Sequence, residues 1–268
     1  MLLSQYKRLS SALWNDYYCK KHGHQFLYYT IRNDNSIINS CRHSNEPLAS
    51  PWCKVLSMIQ ATIDYPNIKV FIYLDSDAII DRRYENTSIN TFLSIMQSKL
   101  QWDPVLKPIV FNQDGPSWWC QLIINIGYKM CLNAGTVLWY RHTNSINVLK
   151  YWWNSAMDSY TNNPIRRPFR LKWPWEQDRQ MAIYNISSIQ QYIQVASQPY
   201  QSKMDHKIGL KDWCLSHLPR QGCFISHHCE NRNSKNNLIK LYMINDNYNY
   251  RNKKYDFKVN YLRLDDSY

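Results

Sequence analysis

The stretch Lys69-Val70-Phe71-Ile72-Tyr73-Leu74-Asp75-Ser76-Asp77-Ala78-Ile79-Ile80 decides how the rest of the chain is read. Five consecutive apolar residues, Val70 to Leu74, follow the turn signal Tyr65-Pro66-Asn67. A β-branched and aromatic run of that length predicts a strand buried on both faces, the central-strand pattern of a parallel sheet. It ends in two carboxylates, Asp75 and Asp77. Ligands of open α/β sheets gather outside the carboxyl ends of the strands. In extended geometry positions i and i+2 face the same way, so Asp75 and Asp77 can share one hard cation. An Asp-x-Asp in a polar loop is most often a solvated turn or a helix cap. Here two like charges close a buried strand, which is costly without a counter-charge. A metal-bound diphosphate is the natural one.

N-terminal to this strand, residues 4–22 read as an amphipathic helix with Tyr6, Leu9, Leu13 and Tyr17 on one face. Lys20 and Lys21 fill its last turn, and Gly23 suits the position beyond its end. Gln25 to Ile31 predicts a strand and Arg32 to Glu46 a polar loop. Ser50-Pro51 supplies a cap and a first-turn proline for a helix that turns Trp52, Val55, Leu56, Ile59 and Ile63 inward.

Beyond the acids, Ile89 to Met96 predicts a short helix and Pro108 to Asn112 a strand. Trp118-Trp119, after the turn Asp114-Gly115-Pro116, suits a core or an interface more than a sugar platform. Cys131-Leu132-Asn133-Ala134-Gly135 predicts a loop entering a strand, Thr136 to Tyr140. Such a loop permits close approach of backbone to a ligand, or is simply a turn. Asn144-Ser145 caps a helix carrying Ile146, Leu149, Trp153 and Met157. Asn162 to Pro174 is a basic, proline-broken loop that could clamp phosphate and is by default solvated. Trp175-Glu176-Gln177-Asp178 opens a helix through Tyr184, its acids at the least complementing the helix dipole. Gln191 to Ala196 predicts a strand. Cys223 to His228 predicts a short one ending in two histidines, where a histidine could complete a metal site begun by distant aspartates. Residues 1–230 therefore read as one domain, and 231–268, rich in Asn, Lys and Tyr, as a basic arm packed on it or extending from it. Helices alternating with strands make the class α/β, with a mostly parallel central sheet flanked by helices.

Composition narrows the function. The 268 residues suffice for a substantial core. Six glycines, none in a G-x-G-x-x-G or G-x-x-x-x-G-K arrangement, argue against the glycine-rich dinucleotide and P-loop sites. A net charge of +12 favours an anionic partner such as a nucleotide, nucleic acid or membrane surface, although Lys and Arg are dispersed. The eight cysteines contain no C-x-x-C pair, so a structural zinc site is not expected. Disulfides are best placed among Cys214, Cys223 and Cys229, and free buried thiols account for scattered cysteines equally well. N-x-S sequons stand at Asn86 and Asn185. No apolar run reaches membrane-spanning length, and Met1-Leu2-Leu3-Ser4 is too short for a signal peptide. The chain as written is expected to be soluble and cytoplasmic.

Taken in order, these features resemble a GT-A-fold glycosyltransferase. They are most similar to glycosyltransferase family 34, the galactosyl-, xylosyl- and mannosyltransferases of the yeast Golgi mannan and plant xyloglucan type. The resemblance runs from about Leu9 to Cys229. It is carried by Asn15-Asp-Tyr-Tyr-Cys-Lys-Lys-His-Gly-His24, Pro51-Trp-Cys-Lys-Val-Leu56, Tyr73-Leu-Asp75-Ser-Asp77, Leu132-Asn133-Ala134-Gly135, Trp152-Trp153, Glu176-Gln177-Asp178 and the His227 strand. In the family a strand precedes the first of these, so here that strand is expected to be missing or reduced to Met1-Leu2-Leu3. The family's His-Phe-x-Gly-Cys is Ser226-His227-His228-Cys229 in this chain.

The resemblance implies Mn2+ (or Mg2+) bridging the diphosphate of a nucleotide sugar, most simply a UDP-sugar. It makes Asp75, Asp77 and His227 the metal ligands, with His228 as the alternative to His227. Asp75 would be shared between the metal and the donor, with Ser76 beside it. Asn133, Ala134 and Gly135 would line the donor sugar, and Glu176, Gln177 and Asp178 would sit at the sugar and acceptor. The acceptor would be an oligosaccharide or glycoprotein, transfer would retain configuration, and no nucleic acid partner is expected. A non-catalytic glycan-binding relative and a basic nucleic-acid-binding protein are the competing readings.

Overall fold

The first helix, α1 (Leu2–Lys21), ends where its basic turn and Gly23, at φ +70°, predict. In the computed structural model the described residues are 2–30, 41–43, 46–76, 78–114, 118–157, 175–196, 216–217, 224–227 and 259–261. Short strands β1 (Tyr28–Thr30), β2 (Arg42–His43) and β3 (Glu46–Pro47) lead through a single 3-10 turn into α2 (Cys53–Asp64). Then come β4 (Val70–Leu74), β5 (Ala78–Ile80), α3 (Ile89–Leu100), β6 (Ile109–Gln113), α4 (Trp118–Asn125), β7 (Leu132–Tyr140) and α5 (Thr143–Asn154). The order continues with α6 (Trp175–Tyr184), α7 (Ser187–Gln190), β8 (Ile193–Ala196), β9 (Ser216–His217), β10 (Ile225–His227) and β11 (Val259–Tyr261).

The central sheet has the order β4-β7-β6-β8. β6 and β8 pair in parallel, while β7 lies antiparallel between β4 and β6. Three strands thus run one way and a single strand opposes them, a mixed α/β sheet of the expected class. The acidic strand departs from its expectation: its partner among the described residues is antiparallel, and only Phe71 of its five residues is fully buried. The enclosed strands are β7, buried from Ala134 to Trp139, and β6, buried from Ile109 to Asn112. They take the central places because neighbours pair along both edges of each.

Strand alternation sorts the core into two layers. Phe71, Phe111, Val137, Trp139, Ile193 and Val195 point to the face covered by α2, α5 and the apolar side of α6. Val110, Leu138 and Ala196 point to the other, where they meet Tyr18 of α1, Phe92 and Met96 of α3, and Phe224. Burying both faces is what a sheet of this class requires. Of the expected inward residues, Trp52 in the 3-10 turn and Val55, Leu56 and Ile59 on α2 are buried, but Ile63, in the last turn of α2, is 47% exposed.

The inward face of α1 also differs from expectation. Ser11, Ala12, Asn15 and Tyr18 are buried, whereas Tyr17 is 38% exposed and Leu13 half-buried. Hydrogen bonding sets the rotation: the amide of Asn15 accepts from Ile80 N and donates to Ala78 O, both at 3.0 Å, and Trp14 Nε1 donates to Ile80 O at 2.7 Å. Leu2 to Lys21 are all helical, so the start of the chain holds no strand at positions 2 and 3. β5 is flanked on its other edge by β10, with Ile80 opposite Ile225 and Ala78 opposite His227.

Two disulfides, Cys41–Cys53 and Cys120–Cys131, join cysteines that the sequence left unassigned. The expected group Cys214, Cys223 and Cys229 lies outside the described residues, as do the basic loop 162–174 and His228. Within the 231–268 arm, β11 pairs in parallel with β1, Val259 opposite Tyr28. Among the described residues no helix is long and apolar enough to cross a membrane.

Candidate active site

The chemistry gathers where β4 ends. Asp75 N donates to Gly135 O at 2.9 Å, extending the β4–β7 ladder by one residue, and Asp75 O accepts from Ala78 N at 2.8 Å to turn the chain into β5. The Asp75 side chain keeps 24% of its surface exposed. Tyr73, on the same side of the strand by alternation, donates its hydroxyl to Asp75 Oδ1 at 2.8 Å.

Asp75 does not wait for a metal to find its counter-charge. Lys54 Nζ lies 2.9 Å from Oδ1 and 3.2 Å from Oδ2. The same ammonium stands 2.8 Å from Glu176 Oε1 and donates to Ala134 O at 3.4 Å. A lysine has three N–H donors, and here they serve the end of β4, the first turn of α6 and the backbone of β7. The side chain is only 9% exposed. Burial alone would lower the Lys54 pKa, but Asp75 and Glu176 outweigh it and hold the ammonium well above the usual lysine range. Burial, and next the Asp75 carboxylate, push the Tyr73 phenol well up, so it stays a donor.

Asn133-Ala134-Gly135 lies within a strand rather than in a loop before one. β6 pairs Phe111 with Val137 and then Asn112 with Asn133, so Ala134, Gly135 and Thr136 are extra residues on β7. This bulge re-aims the backbone toward β4, the recurring use of such insertions near sites. Asn133 Oδ1 accepts from Gly135 N at 2.8 Å and closes the bulge on itself. Unbroken apolar runs on both sides, Met130 to Leu132 and Val137 to Tyr140, leave no alternation in which the insertion would show.

Glu176, Gln177 and Asp178 open α6, as expected, and point three ways. Glu176, 5% exposed, meets Lys54 through Oε1, while Oε2 is buried with no hydrogen-bond partner among the described residues. Gln177 Nε2 donates to Leu132 O at 2.6 Å, tying the helix to the start of β7. Asp178, buried, accepts from Tyr128 OH at 2.6 Å, while Trp152 Nε1 donates to Glu176 O at 2.8 Å. Lys54 therefore brings Glu176 together with Asp75, and Asp178 faces Tyr128 instead.

Lys54, Tyr73 and Tyr128 had no role in the sequence reading. A signal for Lys54 existed: it is a cation at the start of a helix whose neighbours Trp52, Cys53, Val55 and Leu56 are all buried. A buried lysine requires paired acids.

Asp77 lies outside the described residues, and Ser76 is exposed. His227 ends β10 opposite Ala78, the residue after Asp77; its side chain is outside the description. The donor chemistry fits a hard divalent cation, since Asp75 and Glu176 offer carboxylate oxygen. Lys54, Asp75 and Glu176 sum to one formal negative charge, which favours a cation beside them. Asp114, Cys120 and Cys131 also lie close together, but the two sulfurs are bonded to each other.

A profile of the galactosyl transferase GMA12/MNN10 family matches residues 15–204. This span begins at Asn15, passes through Lys54, Asp75 and the β7 bulge, and includes α6. A solved structure described as a glycosyltransferase involved in the glycosylation of the major capsid of PBCV-1 superposes with a TM-score of 0.56 at 16% identity. The alignment covers 88% of this chain and 93% of that one, so the two share a fold. A search of curated proteins returns no match.

Proposed function

Because the chain belongs to the galactosyl transferase GMA12/MNN10 family and is a glycosyltransferase, we propose that it moves a hexose or pentose from a UDP-sugar to a glycan acceptor with retention of configuration. The observation that supports this reading is the Lys54 bridge. One buried ammonium joins the carboxylate at the end of the acidic strand to the first carboxylate of α6, beside the Asn133–Gly135 bulge. The bulge and the two acids are thereby held together around one ammonium, and a donor sugar would lie between strand end and helix.

In this reading Asp75, Asp77 and His227 would hold Mn2+ or Mg2+. When bound, the ion neutralises charge on the departing diphosphate as a Lewis acid. The chain's own groups do the positioning. Asp75 is fixed by Tyr73 OH, Lys54 and its backbone bond to Gly135, so its carboxylate needs no reorganisation when a donor arrives. Ser76 lies beside it in the chain. Asn133, Ala134 and Gly135 form the wall for the sugar, and Gln177 holds α6 against that wall through Leu132 O. Glu176 offers Oε2 to a sugar or acceptor hydroxyl.

The bond from the anomeric carbon to the diphosphate oxygen breaks, and its electron pair leaves with the diphosphate. The acceptor oxygen bonds the anomeric carbon on the same face. Its proton passes to the departing phosphate oxygen, so no strong general base is needed. Asp178, engaged with Tyr128, supports the helix rather than taking that proton.

A thermal-shift screen of the native chain with Mn2+ and a panel of UDP- and GDP-sugars tests the reading, since a ligand that binds only the folded state raises its melting temperature. A shift that needs Mn2+, selects one donor and is lost in Asp77→Ala is the expected result. An equal shift for every nucleotide with or without Mn2+ would rule the reading out.

A further inference from the structure

We propose that Lys54 is a positioning residue that acts as a resident cation, competing with a divalent metal for Asp75 until a diphosphate arrives with it. The inference rests on the donor-site reading above and assigns a role within it to a residue outside the ligand set.

Three observations carry it. The ammonium touches both carboxylates at ion-pair distance, 2.9 Å to Asp75 and 2.8 Å to Glu176. These acids come from elements more than a hundred residues apart in sequence, so without the lysine a buried carboxylate and a part-buried one would stand close together with no counter-charge between them. All three donors of Lys54 are engaged and its side chain is buried, so it cannot swing out to solvent as a surface lysine does. Its place is also fixed from behind: α2, which carries it, packs into the core through Val55, Leu56 and Ile59, with Trp52 just before it.

A metal ion that takes Asp75 oxygen must therefore sit close to an immobile positive charge. Two cations at one carboxylate repel, and the repulsion is relieved when an anion binds with the second. A nucleoside diphosphate carries that negative charge. Lys54 would make metal and diphosphate bind as a coupled pair, with weak affinity for the metal alone. Such coupling is reciprocal, each ligand raising the affinity for the other by the same factor.

The test measures Mn2+ binding by electron paramagnetic resonance of the free ion, with and without UDP, on the whole chain. In Lys54→Met, which keeps length and removes charge, affinity for Mn2+ alone should rise about tenfold, the effect commonly produced by one unit charge at this range. The enhancement by UDP should shrink by the same factor, while turnover falls. A residue that only held the fold together would lower Mn2+ affinity and turnover alike. Unchanged or weaker Mn2+ binding by a folded Lys54→Met protein overturns the inference and leaves the donor-site reading standing. A wild-type chain that binds no Mn2+ in either condition overturns both. Should Lys54→Met not fold, Glu176→Gln tests the same point with opposite sign. It concentrates Lys54 on Asp75, so Mn2+ alone should bind more weakly and UDP should enhance it more; an unchanged enhancement sinks the idea.

Discussion

Asn15 meets Ile80 as a neighbouring strand would, its side-chain oxygen accepting from Ile80 N while its NH2 donates to Ala78 O, each at 3.0 Å. One amide from α1 thus completes the free edge of the strand that follows Asp75-Ser76-Asp77. Asn15→Ala removes both partners from buried backbone groups. At roughly 1–3 kcal/mol for each of the two orphaned groups, destabilisation of about 2–6 kcal/mol is expected in urea denaturation. Asn15→Leu should cost at least as much, because added apolar surface cannot replace either bond. A loss within experimental error would show that water takes over both groups.

Tyr128 and Asp178 give a prediction at the other end of the site. Tyr128→Phe deletes a 2.6 Å hydrogen bond to a buried carboxylate. Stability should fall by roughly 1.5–3 kcal/mol, the usual range for a bond to a charged group. If Asp178 supports α6 and takes no proton from the acceptor, the variant should keep the shape of the wild-type pH–rate profile while losing turnover. A displaced profile would return Asp178 to the chemistry.

Stability should depend on pH through His24. Burial, and then neighbouring His22, lower its pKa below the usual histidine value. In the window just below that value, the unfolded chain binds a proton that the native chain refuses. Stability therefore rises with pH through the window and is lost as pH falls toward the folded value. His24→Gln should flatten this part of a melting-temperature profile measured between pH 5 and 7. A profile of unchanged slope would assign the dependence to other groups.

The disulfides are a fourth handle. Cys41–Cys53 and Cys120–Cys131 close short loops, with separations of 12 and 11 residues. Each should stabilise by roughly 2–4 kcal/mol through the unfolded chain. Paired serine replacement of either bridge should lower the denaturation midpoint accordingly. Cys19, by contrast, has its thiol pushed up to about 12 by burial and by Asp16, and should resist iodoacetamide in the native protein at neutral pH.

How much was legible in the sequence follows from what each signal depended on. The acidic strand, α2, α5, α6 and β8 were visible because apolar periodicity and caps are local. The pairing of β4 with β7 was not, because a run of five apolar residues says that a strand is buried and nothing of its neighbour's direction. The rotation of α1 was missed for a related reason. Tyr6, Leu9, Leu13 and Tyr17 make a plausible face, but polar Asn15 and amphipathic Trp14 and Tyr18 hold the helix, through partners over sixty residues away. At the site, Asp75 and Glu176 were singled out while the lysine between them was not. Acids at a strand end stand out, whereas a single lysine in an apolar helix reads as a solvated surface charge until its three partners are in place.

The joint between Asp75 and the bulge of β7 runs from main chain to main chain, through Asp75 N and Gly135 O. Point substitution cannot reach it. Sequence drift around this position can alter what surrounds the carboxylate, but it cannot easily change where the carboxylate stands. Only an insertion or deletion among Ala134, Gly135 and Thr136 would move it. Lineages that diverge in the sugar they transfer would therefore be expected to differ in the side chains around this carboxylate and to keep the length of this one segment.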